Sequence, residues 1–441
     1  MGDLRKEILK LKGQCAFFID GGEKFQIESI SFPLNPGFLL FRPDGTHEFL
    51  TEYKSDNKTF VPFKNDDPLF ARIPSFTAIG SYDSEASLLM EIRSFIKKWV
   101  DLNERDEKLL AFYVLFTYIY DAFMEVPYLH ILADLGSGKT RLGVKVLGSI
   151  CFRSFSTIGV SSIPALFRLM STVCGTLILD EADIKKSEKT DEITQMLNSG
   201  YIKDLPVIRC EPTGKDKKFN LVSFQVFGPK ILLSRESMKD DALESRCLPI
   251  HLKQTKRKDI PFLLSASLEQ EAQEIRNKLL TFRMRNRFIA REAVDYSLVD
   301  LPVSARTKQL LLCISSVVRD KESKQMLHDY AMEVSIANVE RRGESFAGEL
   351  LEAIRKVAEN PIKKEYRLPL KDIIDVMNQE RDKKIYPQGI GKKIRETFGL
   401  RTVKSHGVTV LAATLQELND CFEKFGIEPI IIPAGAELFL D

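Results

Sequence analysis

The stretch that most constrains the fold of this chain is ADLGSGKT, residues 133–140. An apolar run, VPYLHIL, leads into it, and KTRLGVKVLGSI leaves it with helical character. Gly136 and Gly138 allow backbone N–H groups to approach anionic oxygens at a helix N-terminus, where the helix dipole favours negative charge. Strand, glycine-rich loop and helix, in this order, are the context that a phosphate-binding loop requires. The sequence therefore predicts such a loop within an α/β protein.

The loop departs from the pattern G-x-x-x-x-G-K-[ST] because Ala133 stands where glycine is usual. Ala133 lies at the outer edge of the loop, where a methyl group is tolerated if φ is negative. In such loops the lysine, here Lys139, reaches the β- and γ-phosphates, and the hydroxyl of Thr140 binds Mg²⁺. The residues predicted to hold ATP are Gly136, Ser137, Gly138, Lys139, Thr140 and Arg141.

A second motif supplies the acidic partners of this loop. GTLILDEAD, residues 175–183, is a short apolar run that ends in Asp180 and Glu181. Asp180 at the end of a strand can hold Mg²⁺ together with Thr140, and Glu181 can deprotonate the attacking water. The two motifs together predict an ATPase site.

With these motifs, residues 126–250 resemble the AAA+ ATPases. In that family a later strand ends in a polar sensor that contacts the γ-phosphate or the attacking water. Here the strand is PKILLS, residues 229–234, and Ser234 occupies the sensor position where the family usually has asparagine. A serine at the end of a strand is otherwise a common turn former.

DALESRCLPIHL, residues 241–252, is similar to the segment of minichromosome-maintenance helicases that carries an arginine finger. The resemblance assigns Arg246 to a finger that reaches the nucleotide of a neighbouring subunit, which would make activity depend on a ring. The alternative is a local salt bridge from Arg246 to Glu244. Arg306, at the start of a later helix, matches the second sensor arginine of the family's lid domain.

The order of motifs also resembles the helicase-like ATPases of phages, plasmids and mobile elements, in which a phrase like LNSGY (197–201) follows the acidic strand. The resemblance covers roughly 105 to 320, with a winged-helix-like tail beyond it. The expected fold is an α/β AAA+ P-loop ATPase core with a parallel sheet. The expected domains are a small β-rich domain (1–80), the ATPase core with its leading helices (81–255), a helical lid and linker (256–344), and a C-terminal winged helix (345–441).

Residues 205–228 predict a β-hairpin with a basic tip, because two alternating apolar runs flank EPTGKDKK. Replicative AAA+ helicases place a hairpin here and direct it into the central pore, where Lys215, Lys217 and Lys218 would follow single-stranded DNA. Exposed lysines that keep a hairpin tip soluble are the alternative. The helical run RNKLLTFRMRNR (276–287) spreads its arginines over several faces, which favours a solvated or intersubunit surface.

The C-terminal part has the rhythm of a helix-turn-helix followed by a wing. LKDIIDVMNQE (370–380) and YPQGIGKKIRETFG (386–399) predict two helices, and LRTVKSHGVTVLA (400–412) predicts two strands around a turn. A basic edge on this unit predicts binding of duplex DNA, although winged helices also serve as protein contacts. That edge consists of Lys392, Lys393, Arg395 and Lys404.

Composition narrows the class of protein without deciding its function. A formal net charge of +2 favours neither strong nucleic-acid binding nor membrane attachment. The seven cysteines form no C-x-x-C pair, so no zinc site is expected. The most apolar segment, 109–123, is too short to span a bilayer and predicts a buried helix. We expect a cytoplasmic protein.

These observations favour an ATP-hydrolysing DNA motor of the replicative-helicase type. We expect it to form a homo-oligomeric ring, a hexamer. The ring would move along single-stranded DNA and use ATP and Mg²⁺. An AAA+ ATPase that remodels or loads protein partners, with the tail as a docking module, is the alternative. A P-loop small-molecule kinase would not need Arg246, a hairpin insertion or a tail domain.

Overall fold

The chain folds into two compact units, residues 1–331 and 332–441. The computed structural model describes residues 14–31, 36–55, 58–64, 72–134, 136–158, 162–180, 188–213, 218–238, 240–359, 363–379, 384–386, 389–405 and 407–432. Among these residues no helix combines the length and the apolar character needed to cross a membrane.

The N-terminal part of the first unit is made of β-strands, as its alternating pattern predicts. β2 to β5 form an antiparallel sheet in sequential order, and β1, β7 and β6 form a second sheet in that order. Turns at Gly22 and Gly45, with φ of +67° and +84°, connect neighbouring strands. Ile27, Phe38 and Leu40 form the small core between them. The strands are β1 Gln14–Ala16, β2 Phe18–Asp20, β3 Gln26–Ser31, β4 Pro36–Phe41, β5 His47–Leu50, β6 Tyr53–Ser55 and β7 Lys58–Pro62.

Two helices, α1 (Glu85–Trp99) and α2 (Glu104–Thr117), precede the central sheet of the first unit. A capping box between Ser84 and Ser87 starts α1, and its apolar stripe is buried, which confirms the helical spacing seen in the sequence. α2 is buried on all sides from Leu109 onward, which confirms the expectation of a buried helix.

A five-stranded parallel sheet forms the centre of the first unit, in the order β14-β8-β13-β10-β9. The α/β character and the parallel sheet predicted from the sequence are therefore confirmed. Because all five strands run in the same direction, their carboxyl ends meet at one edge of the sheet. The strands are β8 Tyr128–Ala133, β9 Phe155–Ile158, β10 Leu177–Asp180, β13 Lys230–Ser234 and β14 Cys247–Leu252.

Helices connect these strands. The helix after the glycine-rich loop is π-helical over Arg141–Leu147 and continues as Gly148–Ile150, together called α3. It packs closely on β13, because a Cβ at Gly143 would lie 2.5 Å from Leu233 Cδ2. The other helices of this part are α4 Ile163–Val173, α5 Glu188–Ser199 and the single turn α6 Asp241–Glu244.

The predicted hairpin is present as the antiparallel pair β11 (Val207–Thr213) and β12 (Lys218–Phe224). One of its faces packs on α4, where the rings of Phe167 and Phe224 lie 6.2 Å apart. The other face exposes Ile208 and Leu221, which are 63% and 75% accessible.

After β14 the first unit is helical. Its remaining elements are α7 Ala266–Asn286, a 3₁₀ turn Tyr296–Asp300, α8 Ala305–Ser315 and the first part of α9 Lys321–Gly343. The helical run 276–287 of the sequence lies in α7, apart from Arg287, which caps the end of that helix.

Apart from the exposed Arg285, the arginines of α7 and its end do not form the solvated surface that the charge pattern favours. Arg283 and Arg287 are 0% and 3% exposed, and both pair with Asp121, at 2.7 Å and 2.8 Å. Arg283 also pairs with Glu28 at 2.8 Å, and Glu28 in turn pairs with Arg153. The surface prediction for this run was wrong, because carboxylates distant in sequence make it possible to bury these charges.

The second unit builds a three-stranded antiparallel sheet, in the order β15-β17-β16, against three helices and the preceding α10. The two strands predicted around residue 406 are present as β16 and β17. Its elements are α10 Phe346–Ala358, β15 Glu365–Pro369, α11 Leu370–Asn378, α12 Ile390–Phe398, β16 Arg401–Ser405, β17 Val408–Thr414 and α13 Leu415–Lys424.

Candidate functional site

The glycine-rich loop lies at the carboxyl end of β8, a strand whose residues are all buried. Gly136 and Gly138 have φ of +79° and +85°, which L side chains rarely adopt, and a Cβ at either position would meet open space. Glycine is therefore required here by backbone conformation rather than by crowding. Beside the loop lies a cavity of about 300 Å³. Its lining residues are Ala133, Asp134, Gly136, Gly138, Lys139, Thr140, Arg141, Asp180 and Arg235.

Thr140 and Asp180 meet in this cavity. The Thr140 hydroxyl donates to Asp180 Oδ2 over 2.9 Å, although the two residues are 40 positions apart. The parallel pairing of the sheet explains the approach, because β8 and β10 both end at this edge. A hydroxyl and a carboxylate are hard oxygen donors of the kind that Mg²⁺ prefers. The two side chains thus fit a magnesium ion, in the positions that the sequence predicts.

Glu181, the predicted general base, lies outside the described residues. Ser137 is buried, and its backbone N–H donates to the carbonyl of Asp134 over 3.3 Å, which closes the loop. Arg141 donates over 2.6 Å to the carbonyl of Pro261 and also to the carbonyl of Phe262. Arg141 thereby fixes the segment after β14 against the loop while lining the same cavity.

Ser234 lies at the end of β13, between the loop strand and the acidic strand. Its side chain is 1% exposed, and its hydroxyl lies 2.6 Å from the carbonyl of Glu236 and 2.5 Å from His130 Nε2. Ser234 therefore faces β8 rather than the cavity.

Arg235 is a residue of this site that the sequence reasoning missed. It follows Ser234 directly and is exposed, and its side chain lines the cavity together with Lys139 and Asp180. The sequence feature that indicates Arg235 is its position immediately after β13, the strand that ends in Ser234. A polar residue there reaches the sheet edge, whereas the last residue of the strand can still be buried between its neighbours.

The buried His130 connects Ser234 to the segment before β14. Its Nδ1 lies 3.3 Å from Glu244 Oε2, within the distance of an ion pair. The geometry between these two atoms does not meet the requirements of a hydrogen bond. Glu244 also accepts from the backbone N–H of Met238 over 2.9 Å. This arrangement orients Glu244 toward β8.

Arg246 lies at the amino ends of the parallel strands, whereas the loop lies at their carboxyl ends. It precedes β14, whose first residue pairs with Tyr128 and whose last pairs with Ala133. At about 3.3 Å per residue, roughly 20 Å separate the level of Arg246 from that of the loop. This distance exceeds the length of an arginine side chain, so Arg246 does not reach the cavity of its own chain.

Arg306 lies beside Arg246. The guanidinium carbons of Arg246 and Arg306 are 4.3 Å and 4.9 Å from the centroid of the same ring, that of Tyr201. Arg246 also donates to the carbonyl of Ala242. The two arginines that the family resemblance selects are thus brought together, away from Lys139 and Thr140.

The residues predicted to bind DNA are described in part. Lys215 and Lys217 lie outside the described residues, and Lys218 is the first residue of β12. In the second unit Lys392, Arg395 and Lys404 are exposed, while Lys393 is half-buried with its Nζ 4.8 Å from the centroid of the Phe346 ring. Three of these four cations therefore face solvent.

No family model matches the chain, and no curated protein matches it. Among solved structures, the apo A form of the NrS-1 C-terminal region aligns over 88% of this chain and 96% of its own, at 13% identity and a TM-score of 0.38. A second A-form apo structure of that region aligns over the same shares, at 13% identity and a TM-score of 0.35. JCV helicase with a thiazolopyridine compound bound aligns over 54% of this chain and 68% of its own, at 12% identity and a TM-score of 0.25.

Proposed function

We propose that this chain is an ATP-driven DNA motor of the replicative-helicase type, which acts as a homo-oligomeric ring. The observation that carries the proposal is the pairing of Thr140 with Asp180, at 2.9 Å, beside a glycine-rich loop at the carboxyl edge of a parallel sheet. That edge is where open α/β sheets bind their ligands.

Each side chain of the cavity has a role suited to its chemistry. The loop's backbone N–H groups and Lys139 bind phosphate oxygens, and Arg141 orients the loop while it holds the segment around Pro261. Thr140 and Asp180 hold Mg²⁺, which neutralises charge on the phosphates when bound. Glu181 accepts the proton of the attacking water. Arg235 adds a third cation to the same cavity, after Lys139 and Arg141.

The position of Arg246 supports a ring. Arg246 and the loop lie at opposite edges of one sheet, so an Arg246 that contacts ATP has to come from a neighbouring chain. Arg306 accompanies Arg246 at Tyr201 and would approach the same nucleotide. A hexamer is the ring size that the family resemblance implies.

Two elements are proposed to bind DNA. The tip of the β11–β12 hairpin, with Lys215, Lys217 and Lys218, would follow the backbone of single-stranded DNA in the pore. The second unit would hold duplex DNA through Lys392, Lys393, Arg395 and Lys404, as a winged helix. The order of α10, β15, α11, α12, β16 and β17 supports that assignment, because a strand pair follows the second of two adjacent helices.

One observation favours the alternative, an ATPase that remodels or loads proteins. The outer face of the hairpin exposes Ile208 and Leu221, and apolar side chains suit a protein contact better than a phosphate backbone. On that alternative, the second unit would be a docking module.

Measurement of ATP hydrolysis with and without single-stranded DNA separates the two functions, and unwinding of a forked duplex tests the first directly. We expect Mg²⁺-dependent hydrolysis that single-stranded DNA stimulates, and strand separation that requires ATP. Hydrolysis that ignores DNA but responds to a protein partner would support the alternative. An absence of hydrolysis in the assembled protein would overturn both.

A further inference from the structure

Tyr201 ends the phrase LNSGY, to which the proposed function assigns no role. Its ring is 9% exposed and lies at the amino edge of the sheet, under both Arg246 and Arg306. Arginine stacks on aromatic faces because the ring's negative quadrupole attracts a weakly hydrated planar cation. One ring thus defines the position of two guanidinium groups.

The backbone around Tyr201 is held from several sides. The Tyr201 carbonyl accepts from the N–H of Val126 over 2.9 Å, just before β8. The preceding carbonyl, of Gly200, accepts from Lys230 Nζ over 3.0 Å. A Cβ at Gly200 would lie 2.5 Å from the carbonyl oxygen of Val226, so only glycine fits this turn. The ring is consequently fixed relative to both β8 and β13.

Lys230 is a structural cation with no exposed surface. Its ammonium group donates to three carbonyl oxygens, those of Gly200, Val226 and Gly228, at 2.9–3.0 Å. Burial lowers the pKa of Lys230, while three acceptors match the three protons of the charged form. The lysine therefore fixes the turn that carries Tyr201 without being available to a ligand.

Two guanidinium groups against one ring concentrate positive charge at this position, which attracts an anion. Arg246 Nε is in addition buried and has no hydrogen-bond partner among the described residues. Because Nε is buried while the residue as a whole is partly exposed, an external anion would contact the terminal nitrogens of the guanidinium rather than Nε. The polyphosphate of a neighbouring chain's ATP is the anion that the proposed ring would bring to this edge.

We propose that Tyr201 is the positioning residue that presents Arg246 and Arg306 together to the nucleotide bound by an adjacent subunit. The inference rests on the proposed function, because it requires an ATPase whose site is completed in trans. It goes beyond that function because it states that one aromatic ring sets the positions of both arginines.

The test uses mixed assemblies of full-length variants. Tyr201→Leu removes the π-face and fills most of the volume, and Tyr201→Phe keeps the face and is the matched control. We expect Tyr201→Leu alone to lose about 100-fold in ATPase rate, the lower end of the range for a lost charge-stabilising group. Tyr201→Phe should retain the wild-type rate. Binding of a fluorescent ATP analogue should be unchanged in both, because the loop lies at the other edge of the sheet.

Two mixtures then distinguish positioning from a general structural defect. Lys139→Ala subunits have intact arginines, so their addition to Tyr201→Leu should restore hydrolysis at the Tyr201→Leu loops. Addition of Arg246→Ala subunits should not, because neither partner then presents well-placed arginines. Equal assembly of all mixtures is checked by light scattering. If Tyr201→Leu does not fold, Tyr201→Met replaces it, since its flexible side chain fills the same space.

The two proposals fail in different ways. A mixture of Arg246→Ala with Lys139→Ala tests completion in trans alone, and no rescue in that assembled mixture would overturn the proposed ring ATPase. Rescue there, combined with no rescue of Tyr201→Leu by Lys139→Ala, would overturn only the role of Tyr201. Full activity of Tyr201→Leu by itself would also overturn that role.

Discussion

At the scale of single residues, Thr140 and Asp180 define the chemistry of the cavity. Asp180→Asn keeps the shape and the acceptor at 2.9 Å but removes the charge that Mg²⁺ requires. We expect the rate of ATP hydrolysis to fall by about 100-fold and the Mg²⁺ concentration for half-maximal activity to rise. Steady-state kinetics over a magnesium titration measure both. Glu352→Gln, the same chemical change on the exposed surface of α10, is the control and should change neither.

Lys139 and Glu181 separate binding from hydrolysis. Lys139→Ala should weaken ATP binding, because it removes a cation from the phosphates. Glu181→Gln should bind ATP with normal affinity and not cleave it, because an amide cannot accept the proton. Equilibrium binding and turnover are compared for each variant. Normal turnover in Glu181→Gln would remove Glu181 from the role of general base.

The sequence predicts these residues because each motif is local. Gly136 and Gly138 follow from backbone geometry that no other residue adopts easily, and Asp180 follows from its place at the end of an apolar strand. The direction of Ser234 could not be predicted in the same way. It depends on His130, a residue of another strand, and no local pattern shows that a hydroxyl at a strand end turns inward while Arg235 turns out.

At the scale of secondary-structure elements, the contact between α3 and β13 positions the loop. Gly143→Ala would place a methyl group 2.5 Å from Leu233 Cδ2, and Leu233 is fully buried. We expect a loss of about 1–3 kcal/mol in the free energy of unfolding and a weaker affinity for ATP. Chemical denaturation and nucleotide titration measure the two effects. In a double-mutant cycle, Gly143→Ala should cost less in the Leu233→Ala background than in the wild type, whereas Lys145→Ala on the exposed face of α3 should change little.

The hairpin and the second unit should make different contributions to DNA binding. Replacing Lys215, Lys217 and Lys218 with alanine should abolish the stimulation of hydrolysis by single-stranded DNA and leave basal hydrolysis intact. Replacing Lys392, Arg395 and Lys404 should instead weaken duplex binding and lower its salt dependence, by about one unit of slope for each lost phosphate contact. Removal of three exposed N-terminal lysines, Lys24, Lys54 and Lys58, is the matched control. If the hairpin variant weakened only duplex binding and the second-unit variant lost the stimulation by single-stranded DNA, the translocating element would lie in the second unit.

Elements whose apolar residues recur with a strong period could be predicted from the sequence. The buried ion-pair partners of a charged helix could not. The stripe of α1 and the alternation of β11 and β12 each determine which face is buried, since one element carries the whole pattern. The arginines of α7 show the limit. Their run looks like a surface, but Glu28 and Asp121 lie 255 and 162 residues away in the sequence from Arg283. No local signal reveals such partners.

At the scale of the first unit, the buried cluster of Glu28, Asp121, Arg153, Arg283 and Arg287 joins the N-terminal strands to α7. Burial alone would raise the pKa of Asp121, but Arg283 and Arg287 hold it below its usual value. The stabilisation from Asp121 is therefore complete above the unfolded pKa of about 3.9, and is lost as the pH falls through the lower folded pKa.

Asp121→Asn removes the carboxylate that pairs with Arg287 and leaves Glu28 to balance both Arg153 and Arg283. We expect it to lower the free energy of unfolding by about 3–5 kcal/mol at pH 7. This difference from the wild type should shrink as the pH falls below about 4, because the carboxyl of the unfolded chain then takes up a proton, and it should be smallest once the pH has fallen through the lower folded pKa. Urea denaturation at several pH values measures it. The exposed pair of Asp259 with Arg257 is the control, and Asp259→Asn should change the free energy of unfolding little.

The direction of the parallel sheet has a consequence for ATP hydrolysis by a single, unassembled chain. That direction places the loop and Arg246 at opposite edges, so on the proposed arrangement a solitary chain binds ATP and leaves it intact. Turnover per chain then depends on protein concentration and vanishes on dilution below the dissociation constant of the assembly. A newly synthesised chain would remain idle until it met its neighbours, and the onset of hydrolysis would itself mark the moment of assembly.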